Sequence, residues 1–159
     1  KEQKQHFQNI IEQHKGILHK VARAYCPNED DMQDLIQEMM IQVWLSIHRY
    51  NNQFKISTWF YRISLNVAIS FYRKNTTRAN KYTELTEQLI ETPVEDKSEN
   101  ERQLYLLDQF ISELKEIDKA LMILYLEDKS HTEIAEILGI SVSKAIANQA
   151  QIMHIRILC

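Results

Sequence analysis

Two glycines and two prolines in 159 residues leave this chain few places to turn sharply. Tight turns draw on glycine for a positive φ and on proline for a preset one. A sheet protein of this length needs many of them, so the scarcity directs the chain toward a few long helices. The apolar spacing agrees. Phe7, Ile10, Ile11, His14, Ile17, Leu18, Val21 and Ala22 recur at intervals of three and four, which predicts an amphipathic helix over 5–25. Pro27 and Asn28 end it. Asn28 then caps a second helix, 30–48, with Glu29, Asp30 and Asp31 at its positive end. Its expected inner face is Leu35, Met39, Val43, Leu45 and Ile47. After a loop at 49–57, Ser57 is expected to cap a third helix over 58–75, with Trp59, Phe60, Ile63, Val67, Ala68 and Phe71 turned inward.

Residues 76–101 are polar and acidic, contain Pro93, and read as a linker. Helices are then expected at 102–115, 117–127 (Ala120, Leu121, Ile123 and Leu124 inward) and 130–138. Gly139 makes a turn and Ser141 caps a last helix over 142–157, which is helix-turn-helix spacing. The fold class is therefore all-α, as two small helical domains joined by an acidic linker.

The chain lacks a run of 18 apolar residues and a signal-peptide pattern, so a soluble, cytoplasmic protein without membrane insertion is expected. Cys26 and Cys159 have no second cysteine or histidine at metal spacing, and Cys26 reads as an inert core thiol. There is no glycine-rich phosphate loop and no nucleophile–base pair, so no enzyme, metal or cofactor is expected. Among the histidines, His14 falls near the apolar face of the first helix and is expected to pack.

A net charge of −3 is unusual for a nucleic-acid binder, but it conceals a segregation. Residues 39–83 hold seven cations (Arg49, Lys55, Arg62, Arg73, Lys74, Arg78, Lys81) and no acid; residues 84–101 hold seven acids and one lysine. Blocks of this kind say more about partners than the sum does.

Three stretches carry a resemblance: 34-DLIQEMMIQVWLSIHRY-50, 57-STWFYRISLNVAISFYRK-74 and 119-KALMILYLEDKSHTEIAEILGISVS-143. In this order, with acids between, the chain resembles the extracytoplasmic-function (ECF) sigma factors of bacteria, within the sigma-70 superfamily. The resemblance spans roughly 5–158 and implies a σ2-like domain at 1–78, an acidic linker at 79–101 and a σ4-like helix-turn-helix domain at 102–159. It implies core RNA polymerase (β′ clamp helices and β flap) and promoter DNA as partners. Asp34, Gln37, Glu38 and Gln42 would then dock on polymerase. Asn51, Asn52, Phe54, Lys55, Ser57, Arg62, Asn66, Arg73, Lys74 and Arg78 would read the −10 element as separated strand. A flipped base needs a pocket with hydrogen-bonding groups for its edge and an aromatic for its face. Tyr61, Phe71 and Tyr72 interleave with the cations in the way single-stranded DNA favours. The acidic segment would occupy a basic channel of polymerase in place of RNA.

The last helix departs from the family pattern. Ser141, Ser143, Lys144, Asn148 and Gln151, with Ala147, form its expected outer face, the −35 reader by resemblance. Asn148 and Gln151 stand where cations are common, and Ala145 where a larger aliphatic is common. Asn and Gln can read adenine edges, but fewer cations release fewer counterions. Several readings stay open. The chain is an ordinary ECF sigma factor with a charge-poor −35 helix; or a separate DNA-bound protein, such as an RNA-guided effector, places it; or it mimics a sigma factor and sequesters an anti-sigma factor. The basic block at 49–81 counts against the mimic. A plain helix-turn-helix regulator leaves the first domain unexplained.

Overall fold

Caps written into the sequence set several helix boundaries in the computed structural model, which describes residues 1–82 and 98–158. Helix α1 spans Glu2–Tyr25 and α2 spans Glu29–Ser46. Between them the Asn28 side chain accepts the Asp31 N–H at 2.8 Å. A 3-10 turn, Ile47–Arg49, follows α2; after the loop 50–55, α3 runs over Ile56–Tyr82. Then come α4 (Glu99–Glu113), α5 (Glu116–Leu126), α6 (His131–Leu138) and α7 (Val142–Leu158). Ser130 accepts the Glu133 N–H and Ser141 the Lys144 N–H, so both serines cap, a contribution of roughly 1 kcal/mol each. Gly139 ends α6 at φ 67°, in the left-handed region that other residues occupy only with strain.

Several boundaries differ from those read in the sequence. Helix α3 begins at Ile56, so Ser57 lies inside its first turn instead of capping it. It also runs on to Tyr82, because 76-TTRANKY-82 contains no glycine or proline to stop a helix. Helix α4 begins at Glu99, within the expected linker, where Ser98 and Glu101 form a reciprocal capping box. The motif 98-SENE-101 was the available signal. Most of the acidic segment lies outside the described residues. Among the described residues no helix is long and apolar enough to cross a membrane.

The first three helices pack against one another around Leu18 and Val21 of α1, Leu35, Met39 and Val43 of α2, and Phe60, Leu65 and Ala68 of α3. His14 packs as expected: its ring stacks on Phe60 at 4.9 Å and its Nδ1 bonds the Ile10 carbonyl. Cys26 is buried, and that burial, followed by the nearby Asp31 carboxylate, pushes its thiol up to about 11, so it stays protonated at neutral pH. Leu45 departs from its expected inner position and stands exposed on α2.

The second half is not free-standing. Every residue from Lys119 to Leu124 of α5 is buried. A helix buried all round needs neighbours on all sides. Helices α6 and α7 cover part of α5, and α1 and α3 cover the rest, so one continuous apolar cluster runs through both halves. Polar contacts ring this seam. Lys119, only 3% exposed, lies 5.5 Å from the Tyr25 ring centre and 4.7 Å from that of Tyr72. The Tyr25 hydroxyl donates to the Glu116 carbonyl oxygen, and Arg73 Nε meets the Glu116 carboxylate at 3.0 Å. Lys20 pairs with Glu127, and Lys129 sits 5.6 Å from the Tyr61 ring centre.

Both seam carboxylates titrate below their ordinary range. Glu116 is held down by its own backbone N–H and then by Arg73; Glu127 is held down by Lys20, with Tyr61 and Lys129 assisting. A carboxylate lowered in the folded state contributes stability above its unfolded value, about 4.3, and loses it as pH falls through the lowered value. Acidification below about pH 4 is therefore expected to loosen the seam before the three-helix core of the first half. Amide hydrogen exchange would check this. Earlier loss of protection in α1–α3 core amides than in α5 would contradict it.

Candidate functional site

The expected docking residues on α2 lie where helical geometry puts positions three and four apart, along one face. Asp34, Gln37 and Glu38 are exposed there, whereas Gln42 is half-buried at its edge. What the sequence reading missed is the centre of this face. Ile41 is 51% exposed and Leu45 55% exposed, with Trp44 and Met40 beside them. The signal was an apolar run, 39-MMIQVWL-45, too wide for one inner stripe of a helix. Trp44 also meets Phe7 of α1 edge-on, with ring centres 4.8 Å apart. Acids rimming an apolar centre make a surface for a protein.

The loop 50–55 is held in one shape by its own side chains. Asn52 adopts φ 61°, a region asparagine tolerates. The Asn51 side chain accepts the Gln53 N–H at 3.2 Å. The Tyr50 hydroxyl donates to the Phe54 carbonyl at 2.7 Å, and the Tyr50 ring leans on Trp59 with centres 5.4 Å apart. The result is a pocket of about 190 Å³ lined by Arg49, Tyr50, Asn51, Gln53, Phe54, Thr58, Trp59 and Arg62. It offers aromatic faces, amide groups and two guanidinium groups together. Three of the residues expected to read strand DNA (Asn51, Phe54 and Arg62) line it. Asn52 shapes the turn, Asn66 is exposed one helical turn beyond Arg62, and Lys55 and Ser57 are not among the lining residues. Tyr50, Thr58 and Trp59 were missed as lining. Trp59 is expected in the core, but Phe60 beside it takes the buried position, and Trp59 is half-buried at the pocket. The wall is completed from the second half, by Glu136 and Ile137 of α6.

Beyond the pocket, Arg73 and Lys74 are exposed on α3, with Arg73 engaged by Glu116. The side chain of Arg78 lies outside the described residues. The interleaved aromatics take a different place from that expected. Tyr61 is buried under the end of α5, and Tyr72 is half-buried, with its ring 6.2 Å from that of Tyr25. Burial, and then Glu116 and Glu127 respectively, raise the hydroxyl pKa values of Tyr25 and Tyr61 well above the ordinary value, so both remain protonated donors. A tyrosine between two helices cannot also stack on a base in this arrangement.

The cap Ser141 and, on α7, Ser143, Lys144, Ala147 and Gln151 are exposed as expected, and Asn148 is half-buried. Gln149 faces back and bonds His131 of α6. Ala145 is fully buried, so this small residue lets α7 sit close to the helices behind it. The outer face also carries Val142, 40% exposed, and Ile146, 48% exposed. It is thus more apolar than the sequence reading allowed.

The comparisons with known proteins agree with this division. The family model "Sigma-70 region 2" matches residues 10–78, and "Sigma-70, region 4" matches residues 104–145. RNA polymerase sigma factor SigV of Bacillus subtilis (strain 168) is 32% identical over 130 residues, covering 81% of this chain and 75% of that protein. ECF RNA polymerase sigma factor SigW of the same organism is 29% identical over 68 residues, 43% of this chain and 36% of that protein. Among solved structures, the sigma factor RpoE bound to the anti-sigma factor NepR from Bartonella quintana matches with a TM-score of 0.70 at 16% identity, covering 93% of this chain and 92% of that one. CnrH in complex with the cytosolic domain of CnrY matches with a TM-score of 0.66 at 17% identity, covering 95% and 84%. At such identities the two structures speak for the fold.

Proposed function

The chain belongs to the sigma-70 family of RNA polymerase sigma factors, in its ECF group, and on that footing we propose how its surfaces divide the work of initiating transcription. The α2 face docks on the β′ clamp helices of core polymerase through Ile41 and Leu45, with Asp34, Gln37 and Glu38 at the rim. On α4, the exposed Leu104 and Leu106 offer an apolar seat for the β flap. Residues 1–78 carry docking and −10 reading, and residues 102–159 carry the helix-turn-helix. A sigma factor directs the polymerase, which performs the chemistry, so no enzymatic step falls to this chain.

The observation that carries the −10 reading is the loop pocket. It gathers Asn51, Gln53, Phe54, Trp59 and Arg62 around a space on the scale of one base. A base turned out of the duplex exposes its edges to the amides and its face to the rings, with Arg62 placed for a neighbouring phosphate. Asn66, Lys55 and Lys74 continue the track along the strand, and Arg73 joins it once released from Glu116. Phe54→Ala is expected to lower promoter opening by roughly tenfold, a stacking loss of about 1–3 kcal/mol, with little change in duplex binding. Permanganate reactivity of −10 thymines in a complex with core polymerase measures it. Full reactivity with Phe54→Ala, or an equal loss of duplex binding, would refute the assignment.

The outer face of α7 supports weak direct readout of the −35 element. Of the two cations on α7, Lys144 is exposed and the side chain of Arg156 lies outside the described residues, while Val142 and Ile146 add exposed aliphatic surface to the helix. Exposed aliphatics there also favour a second reading, in which a separate DNA-bound protein places the polymerase and meets α7 through them. Lys144→Ala is expected to reduce the salt slope of duplex binding by about 0.9, leaving a dissociation constant no tighter than micromolar. The intact chain is the proper sample, since α5 is buried partly by the first half. Nanomolar, sequence-specific duplex binding at physiological salt would overturn weak readout. An anti-sigma factor is a proposed further partner, since the two structures described above are complexes and RpoE's partner is named as one.

A further inference from the structure

We propose that a cavity between α1 and α2, beside the loop pocket, is a binding site for a small aromatic carboxylate, and that such a ligand competes with polymerase docking. The cavity measures about 900 Å³ and lies between the first turns of α1, the last turn of α2, the 3-10 turn and the start of α3. Small-molecule sites occupy roughly 300–1,000 Å³ and are mostly apolar, with a few polar groups that orient the ligand. This one has that make-up. Phe7, Ile10, Trp44, Leu45, Ile47 and Ile56 supply its apolar lining. Its aromatic walls are held before any ligand arrives. Trp44 meets Phe7 edge-on, and the Tyr50 hydroxyl is tied to the Phe54 carbonyl. A bound ring therefore finds fixed edges and faces, at a small ordering cost.

The polar groups decide the charge of the occupant. His6 comes from α1, His48 from the 3-10 turn, and Gln3 and Asn52 complete the set. No Asp or Glu is among the lining residues. Each imidazole carries at least one N–H whatever its charge. His14 bonds the Ile10 carbonyl and His131 bonds Gln149, whereas neither His6 nor His48 makes a hydrogen bond among the described residues. Helix α3 starts at Ile56 with no acid in its first turn, so its positive end borders the cavity. These donors match an anionic group, and the rings around them match a flat body that carries it. A neighbouring groove of about 720 Å³ shares Phe7 and Trp44 but contains Glu12 alongside Lys4, so it lacks this bias. Two lining residues link the cavity to function. Leu45 also stands at the centre of the α2 docking face, and Tyr50 also lines the loop pocket. A ligand lying on Leu45 covers apolar area that polymerase would bury. Binding of either one then weakens the other by the same factor. This last step rests on the reading of α2 as the docking face; the binding site itself does not.

The test uses the intact chain and three bicyclic probes of similar shape: 2-naphthoate, its neutral amide and the cationic 2-naphthylmethylamine. Calorimetry is expected to give 2-naphthoate a dissociation constant of roughly 10–100 µM, in keeping with so small a ligand, with the amide about tenfold weaker and the amine weaker still. The double variant His6→Ala, His48→Ala should fold normally, since both side chains are exposed, and should bind 2-naphthoate about tenfold more weakly. At a 2-naphthoate concentration about tenfold above its dissociation constant, the unaltered chain should bind core polymerase about tenfold less tightly, and the double variant about twofold less. No binding of 2-naphthoate, or equal binding of all three probes, overturns the site. Binding that the double variant keeps in full places the probe elsewhere and overturns it as well. Binding with polymerase affinity unchanged overturns the competition. Ile41→Asp with Leu45→Asp then decides whether the α2 reading fails with it: intact docking removes α2 as the docking face, and impaired docking leaves it standing.

Discussion

Ile41→Asp combined with Leu45→Asp is expected to lower the affinity for core RNA polymerase by about a hundredfold, at unchanged helical content. The folded chain should tolerate it, because both side chains are more than half exposed and neither belongs to the core between α1, α2 and α3. The loss at the partner should be large. Residues at the centre of an interface, shielded by a polar rim, typically carry about 2 kcal/mol or more each, and a buried aspartate adds a desolvation cost. Asp34→Ala with Glu38→Ala, at the rim, should weaken binding less and mainly alter its salt dependence. Co-purification with core polymerase across a salt series separates the two. Equal binding by the Ile41, Leu45 variant would remove α2 as the docking face.

Phe60→Ala should cost about 3–5 kcal/mol of folding stability, enough to unfold a marginal domain at physiological temperature. The ring is fully buried, stacks on His14 of α1, and meets Trp59 edge-on with centres 5.5 Å apart. Its removal leaves a cavity where α1 meets α3. Trp59→Ala, one residue earlier and half-buried, should cost less stability and more strand binding, because its ring supports Tyr50 and the loop pocket. Urea unfolding followed by circular dichroism gives both values. A Phe60→Ala loss below about 1 kcal/mol would mean that the site collapses around the gap, and the account of the core would fail.

The contrast between these neighbours shows how far the sequence could be read. Spacing of three and four residues placed the helices, and Asn28, Ser141 and Gly139 marked ends that the structure keeps. The resemblance led to the family, which the comparisons support independently. The individual site residues were less legible. Asn51, Phe54 and Arg62 meet in one pocket, but Tyr50 and Trp59 join them through a hydrogen bond and a ring contact that no periodicity encodes. Tyr61 and Tyr72 looked available for bases because they lie among cations; the second half covers them instead.

The sequence by itself determined the helical class, several caps, the glycine turn before α7 and the separation of basic from acidic blocks. These follow from backbone chemistry and from spacing along one helix, so each needs only near neighbours. Tertiary structure alone decided which apolar residues stay exposed, that α5 is buried on every side, and that α6 supplies the last wall of the loop pocket. An apolar side chain records its own aversion to water, but not which distant surface will cover it. Leu45 and Leu124 read alike in the sequence: one stays exposed on α2, and the other is buried within the seam. That difference depends on contacts between halves separated by the acidic segment, which no local pattern can contain.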